Sequence, residues 1–529
     1  MRKLNVGVVD LVAKAPTDRL WARVMNPNFA SIMPQVVARW CEQEGHEVTY
    51  VCYTGFEDLV AELPETIDIV FITAFTQAGQ LAYALSSLFR SRGAVTVLGG
   101  PHARAYPQDA QKYFDYVVGF ADRKLVSDIL QDCGPHRPLG AYLSNDSQPD
   151  TLPGLRERWK FLEPTLRKAP LLKMVPMIGS LGCPYTCSFC VDSTVPYQPL
   201  DTEELKADLR FLLTKFRRPL VGWHDPNFGI RFDYYMDAIE DAVPPGRIGF
   251  VAESSLSILS EPHLKRLERN GFRAILPGIE SWFDVGNKSK TGRCEGLDKV
   301  EKVADHINMV ARYIPYVQGN FVFGLDADEG PEPFELTKRF QRLAPSIFPG
   351  FSLLTSFGQA APLNARYRET NRVLRFPFHL LNNNHAMNVR PKNYSWPEFY
   401  DRVIDITEHS FSKRSIFRRL AANSGTLNRA VNAVRALSSE GAGRLRYYKD
   451  LRHRLDTDTQ LRSFYEQESD EIPQFFVDRI KGDLGPLWDW LPEGALDHDP
   501  YLDARTAPVG PTIPSRTDPL RVVTARARD

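Results

Sequence analysis

The sequence predicts an α/β protein with three parts: a doubly wound parallel sheet, an open (β/α)6 barrel, and a mainly helical C-terminal region. Three observations predict it. Short apolar runs alternate with amphipathic stretches from Asn5 to Val118, the alternation resumes from Met174 to about Ser356, and beyond about Phe376 only helical periodicity remains.

In the first part the strand candidates are Asn5 to Val9, Glu47 to Tyr53, Ile67 to Thr73, Ala94 to Leu98 and Tyr116 to Val118. Amphipathic stretches such as Ser31 to Glu44 and Gln80 to Ser91 lie between them. Strands joined through single helices need right-handed crossovers, which make a parallel sheet whose ligands sit at the carboxyl ends of the strands. Those ends carry Thr73, Ala74 and Phe75, then Gly99 and Gly100. This domain is expected over residues 1–133, followed by a Gly-, Pro- and Ser-bearing linker over 134–170.

The second part, residues 171–370, has six strand candidates: Met174 to Gly179, Leu220 to Trp223, Gly249 to Ala252, Ala274 to Pro277, Gln318 to Phe323 and Phe351 to Thr355. Six strands suffice for an open barrel and fall short of a closed eight-stranded one. A helical domain over 371–498 follows, and the proline-bearing end, 499–529, is expected to be disordered.

Composition narrows the function classes. With 529 residues, 43% apolar and 25% charged, the chain is neither disordered, collagenous nor of low complexity. The 65 Lys and Arg cancel the 65 Asp and Glu, which removes any global electrostatic case for nucleic acid. No stretch of about 18 apolar residues occurs, and Met1 to Asp10 is too short an apolar run for a signal peptide and reads as a first strand. Seven cysteines, an odd number in a long chain, argue against a disulfide scaffold and for reduced thiols in a cytoplasmic protein.

The sharpest signal is Cys183-Pro184-Tyr185-Thr186-Cys187-Ser188-Phe189-Cys190, just after the first barrel strand. Three thiolates on one tight loop can grip three irons of a [4Fe–4S] cubane, and the fourth iron is then open to a chelating ligand. Two plainer readings are a zinc site completed by His224 and three unrelated buried thiols. Zinc sites usually pair two C-x2-C steps, however, and only one occurs here. Carboxylates stand at the ends of the next three strands: Asp225, Glu253 and Glu280.

The motif C-x3-C-x-aromatic-C after a strand resembles the radical S-adenosylmethionine (SAM) superfamily. The resemblance implies a [4Fe–4S] cluster on Cys183, Cys187 and Cys190, with SAM chelated at the open iron and cleaved to a 5′-deoxyadenosyl radical. It also implies SAM contacts from Asp225, Glu253 and Glu280, and a close approach at Gly324 in Phe321-Val322-Phe323-Gly324-Leu325. Where many relatives carry Pro-Gly-Thr-Pro after the sixth strand, this chain reads Phe357-Gly358-Gln359-Ala360-Ala361-Pro362.

A flavodoxin- or Rossmann-like domain before such a barrel is similar to the cobalamin-binding radical SAM group. The matching residues are Val97-Leu98-Gly99-Gly100-Pro101-His102 and Phe114-Asp115-Tyr116-Val117-Val118-Gly119. The resemblance implies that Thr73, Gly99, Gly100 and His102 meet cobalamin. With no Asp-x-His-x-x-Gly motif, no histidine is expected to ligate cobalt from below. The implied reaction is methylation of an unactivated carbon, one SAM supplying the methyl group through cobalamin and another the radical. The alternatives are a radical cyclase, oxidase or rearrangement enzyme of the porphyrin-ring cyclase type, or a non-catalytic cluster or cobalamin redox sensor. The implied partners are a small-molecule substrate, which the aromatic content suits if it is apolar or planar, and a reductant such as flavodoxin or ferredoxin.

Two segments stand apart from that chemistry. Between His409 and Arg454 eleven Lys and Arg accumulate against only Glu440 and Asp450, interleaved with Ile416, Phe417, Leu420, Leu427, Val431, Val434 and Leu437. The plainer reading is a core-packed amphipathic helix pair with a solvated basic face; the alternative is peripheral contact with anionic lipid, or an anionic substrate. Asn382 to Asn388 is a polar run that reads either as a wall of the barrel mouth or as an exposed loop.

Overall fold

The computed structural model describes residues 2–16, 30–133, 140–169, 172–283 and 294–501. Two six-stranded parallel sheets and a helical C-terminal region make up the fold. The first sheet contains β1 (Asn5–Leu11), β2 (Glu47–Tyr53), β3 (Ile69–Ala74), β4 (Val95–Gly99), β5 (Tyr116–Val118) and β6 (Ala141–Leu143). Its order, β2-β1-β3-β4-β5-β6, puts the topological switch point between β1 and β3. The strands are covered on both faces, so they read as unbroken apolar runs such as Ile-Val-Phe-Ile in β3, where only Thr73 is not fully buried.

β6 lies in the segment expected to be a linker. Three residues after Gly140 carry no readable periodicity, yet they pair with β5 in register Tyr116 to Ala141, and the helix Leu155–Lys168 follows. Part of the expected linker (134–139 and 170) and residues 502–529 of the expected disordered tail lie outside the described residues.

The second sheet is built from β7 (Met174–Met177), β10 (Leu220–Trp223), β11 (Gly249–Ser255), β12 (Phe272–Glu280), β13 (Tyr316–Phe323) and β14 (Phe348–Leu353), in simple sequential order. Between β7 and β10 runs a small antiparallel clasp, β8 (Ser180–Leu181) with β9 (Gln198–Pro199). Each barrel strand packs its outward residues under helices. Along β13, Val317, Phe321 and Phe323 are buried, while Gln318, Asn320 and Val322 face inward and border a cavity.

The loop after β14 joins the two sheets. Gln359 donates its N–H to the Ala105 carbonyl at 2.9 Å and its side chain to Gln108 at 2.7 Å, and Gly358 sits at φ 52°, where a Cβ would strike the Ala105 carbonyl. The same loop reaches the cysteine segment, since Leu363 N–H donates to the Ser188 carbonyl at 2.9 Å and Thr194 Oγ1 to the Ala360 carbonyl at 3.0 Å. Its departure from Pro-Gly-Thr-Pro therefore coincides with a contact to the N-terminal domain.

The C-terminal region is helical, as expected, but its basic helices are oriented against expectation. In Lys413–Ala422 and Thr426–Leu437 it is Arg419, Asn432 and Ala436 that are buried, with Asn423 just after the first helix, while Phe417, Leu427 and Leu437 face outward. The polar side chains turn inward because unpaired barrel carbonyls need donors: Asn423 reaches the Ser346 carbonyl at 2.7 Å and Asn428 the Pro315 carbonyl at 2.9 Å. No helix among the described residues is long and apolar enough to cross a membrane.

Candidate functional site

The cysteine segment is the loop of the β8–β9 clasp, so a short hairpin base fixes where its thiols lie. Asp225, at the end of β10, holds that base: its carboxylate accepts from Gly179 N–H and from Ser180 Oγ–H, both at 2.6 Å. Burial pushes the Asp225 carboxyl up to about 6, and those two donors partly offset the cost. Within the loop, Cys190 N–H donates to the Cys187 carbonyl at 3.0 Å, and Ser193 Oγ–H to the Cys190 carbonyl at 2.7 Å. None of the seven cysteines is crosslinked; Cys183 is buried, and Cys187 and Cys190 are partly exposed. Among the described residues no three His, Cys, Asp or Glu side chains converge on a single-ion site. Three thiolates that each bind a different iron of a cubane need not converge, and the donor set suits that group.

Cys190 borders a cavity of about 440 Å³ inside the barrel. Its wall is polar where the strands end: Asn227, Glu253, Ser254, Ser255 and Glu280, with Gln318 and Asn320 on β13 and Ser352 on β14. Asn227 Oδ1 accepts from Ser255 N–H at 2.9 Å, locking the β10 and β11 ends together. Glu280 closes β12 at φ 67°, the left-handed region that costs a side-chain-bearing residue about 1–2 kcal/mol. Such strain persists where the surroundings over-determine it, and such positions cluster at functional sites.

A second cavity, of about 530 Å³, lies between the carboxyl ends of the first sheet and the clasp side of the barrel. Thr73, Gly99, Gly100, Arg104, Gly119 and Phe120 line it from one side, and Leu181, Asp192, Val195 and His224 from the other. Gly100, at φ 89°, leaves no room for a Cβ, which would come within 2.8 Å of Thr73 Cγ2 and 3.1 Å of the Ala74 carbonyl. Gly99 opens on free space, with nothing within 4 Å of where its Cβ would stand. A bare backbone facing a cavity fits the close approach of a large planar ligand. Asp192 and Pro226 line both cavities, which therefore adjoin.

The expected site residues divide accordingly. Glu253 and Glu280 border the barrel cavity, and Thr73, Gly99 and Gly100 the interdomain one. Asp225 turns its carboxylate into the clasp. Gly324, at φ 94°, packs against Met387 and Phe399, so the close approach there is made by the C-terminal region. His102 does not line the interdomain cavity. It is fully buried, its Nε2 lies 2.9 Å from the Tyr83 hydroxyl, its ring meets Phe378 edge-on, and desolvation pushes it down to about 3. His224, pushed by burial down to about 4, borders the interdomain cavity.

Asn383 and Asn384, in the polar run that had two readings, line the barrel cavity. Arg104, Asp192, Asn227, Gln318 and Asn320 were not anticipated. For Gln318 and Asn320 the signal was two amides at strand spacing in an otherwise apolar run.

No protein-family model matches the chain. Two curated proteins of Chlorobaculum tepidum are similar in sequence. Bacteriochlorophyllide d C-12(1)-methyltransferase is 24% identical over 362 residues, covering 67% of this chain and 76% of that protein. Bacteriochlorophyllide d C-8(2)-methyltransferase is 27% identical over 323 residues, covering 58% and 69%. Among solved structures, the cobalamin-dependent S-adenosylmethionine radical enzyme OxsB with aqua-cobalamin bound superposes with a TM-score of 0.56 at 11% identity, over 93% of this chain and 80% of that one. The radical S-adenosylmethionine methyltransferase TsrM from Kitasatospora setae, with cobalamin and a [4Fe-4S] cluster bound, gives 0.50 at 15% identity, over 70% and 78%. With two parallel sheets in this order and a three-cysteine loop after the first barrel strand, the chain shares the fold of these cobalamin-binding radical SAM enzymes and is similar in sequence to the two bacteriochlorophyllide methyltransferases.

Proposed function

We propose that the chain is a cobalamin-dependent radical SAM C-methyltransferase that methylates an unactivated carbon of a small, largely apolar substrate. The observation that carries this reading is the junction of the two cavities at Asp192 and Pro226: it lets a group held between the domains face a group held in the barrel across one shared wall. The curated relatives are methyltransferases by name, which favours methylation over cyclisation or oxidation.

Cys183, Cys187 and Cys190 would hold a [4Fe–4S] cluster. The barrel cavity would take SAM and substrate, and the cleft beside Thr73, Gly99 and Gly100 would take cobalamin. When bound, these cofactors supply a reducing electron, a hydrogen-abstracting radical and a methyl carrier. The chain's own residues position and shield. Glu253 and Glu280 offer carboxylates for charge-assisted hydrogen bonds to an ammonium or to ribose hydroxyls. Asn227 and Ser255 keep their strand ends fixed around the ligand, and the loop from Phe357 to Pro362 closes the seam beside the cysteines and limits water.

The test is anaerobic reconstitution with iron, sulfide and hydroxocobalamin, followed by turnover under a strong reductant with a chlorin-type substrate such as a bacteriochlorophyllide. Equal amounts of S-adenosylhomocysteine and 5′-deoxyadenosine support methylation. 5′-Deoxyadenosine alone assigns another radical reaction, and no SAM cleavage removes the enzymatic reading.

A further inference from the structure

Two helices near the C-terminus pack inside out. In Lys413–Ala422 and Thr426–Leu437 the polar residues grip the barrel. Arg419 donates to the Ser410 carbonyl at 3.0 Å and lies over Phe348 and Phe411; Asn423 and Asn428 satisfy barrel-loop carbonyls; Asn432 is buried; and Arg435 donates to Gln318 at 2.7 Å. The apolar residues point the other way. Phe417 and Leu427 are each 74% exposed and Leu437 is 70% exposed, whereas no other large apolar side chain among the described residues exceeds 46%. Leu427, Ala430, Val431, Val434 and Leu437 recur at helical spacing and form a stripe roughly 15 Å long at 1.5 Å per residue. Water gains nothing from such a face, so an occupant is required to account for it.

The charges beside the stripe say which occupant. From residue 411 to 439 there is no acidic residue, and Lys413, Arg414, Arg418 and Arg429 enter none of the ion pairs found among the described residues. Lys413 and Phe417 stand one turn apart, as do Arg414 and Arg418, so cations border the apolar groups. A second copy docking through the same face would bring these cations against each other. Residues 502–529 carry five arginines against three aspartates, the same sign as the face, and so do not complement it.

We infer that this helix pair is a peripheral membrane-docking face, with Phe417, Leu427 and Leu437 entering the interfacial layer of an anionic bilayer and Lys413, Arg414, Arg418 and Arg429 meeting its headgroups. This inference does not rest on the reaction proposed above. Because Arg435, on the second helix, also bonds Gln318 in the cavity wall, a docked molecule holds its barrel beside the bilayer, where an apolar substrate would concentrate.

Cosedimentation of the full chain with vesicles tests it, using phosphatidylcholine alone or phosphatidylcholine with one third phosphatidylserine, at low and at high salt. Binding to the serine-lipid vesicles is expected, weakened by salt. The double variant Arg414→Glu, Arg418→Glu should bind at least about 25-fold more weakly, at about fivefold per cation lost, with the two added carboxylates weakening it further. Phe417→Ser with Leu427→Ser should lose binding while leaving the circular dichroism spectrum and the sedimentation coefficient unchanged. No binding to either vesicle, or equal binding to both that ignores charge reversal, overturns the inference. So does a dimer in solution that dissolves in the serine variant, which would assign the face to a second copy.

Discussion

The clasp that positions the cysteines depends on one buried carboxylate, and replacing Asp225 tests that dependence. Its carboxyl is raised from an ordinary value near 3.8 to about 6, with desolvation as the main cause. At 1.36 kcal/mol per pH unit, the charged form is about 3 kcal/mol less tolerable in the folded chain than the neutral acid. The unfolded chain releases this proton near pH 4 and the folded chain near pH 6, so over that interval the folded state holds the extra proton. Stability from this group is therefore full below pH 4, falls as pH rises, and is lost by pH 7. Asp225→Asn removes the titration and keeps the hydrogen bonds, with its carbonyl accepting from Gly179 N–H and its amide donating to Ser180 Oγ. The unfolding free energy of Asp225→Asn minus that of the native apoprotein should therefore climb by about 3 kcal/mol between pH 4 and pH 7. Urea titrations followed by the fluorescence of buried Trp223, at the end of β10, provide the measurement. Asp225→Ala, by contrast, strips the acceptor from two buried donors, at about 1–3 kcal/mol each, and should lose iron on reconstitution because the hairpin base is freed. A difference between Asn and native that stays flat, or falls, from pH 4 to 7 refutes the reasoning. So does an Ala variant that binds iron as the native chain does.

Four further outcomes follow from the same geometry. Gly100→Ala should lower the melting temperature, since the left-handed conformation and the contacts at Thr73 and Ala74 cost about 1–2 kcal/mol. Gly99→Ala should melt within about 0.5 kcal/mol of native yet retain less cobalamin by absorbance, because its methyl group fills only the cavity; full retention would remove the cradle. Glu280→Gly should be at least as stable as native, with up to about 1 kcal/mol of strain relieved. Its affinity for SAM in equilibrium dialysis should nevertheless fall about tenfold or more, the loss of one charge-assisted hydrogen bond, and unchanged affinity would take Glu280 out of the site. Cys187→Ala should abolish the paramagnetic signal of the reduced cluster, while Cys294→Ala, outside the loop, should leave it intact.

The chain's local code settled a good deal on its own. Most strand positions, β6 excepted, follow from apolar runs, because the strands of the first sheet are covered on both faces and those of the barrel on the outer one, and the ends of β2, β5 and β10 could be read to the residue. The three cysteines could be placed on one loop from their spacing alone, and the structure puts that loop on the β8–β9 clasp. That Glu253 and Glu280 border the barrel cavity could be expected because a parallel barrel exposes its strand ends. What required the folded chain was direction and company. Asp225 and Glu280 look alike as acids after a strand, but one turns into the clasp and the other borders the cavity, since β10 ends beside Gly179 and Ser180. His102, next to two cavity-lining glycines, is carried into the core because the turn of helix that begins at Pro101 points it at Tyr83 and Phe378. The basic helices show the same limit: periodicity establishes that Leu427 and Leu437 share a face with Val434, but which face meets the barrel was decided by carbonyls of Pro315 and Ser346 that needed amide donors.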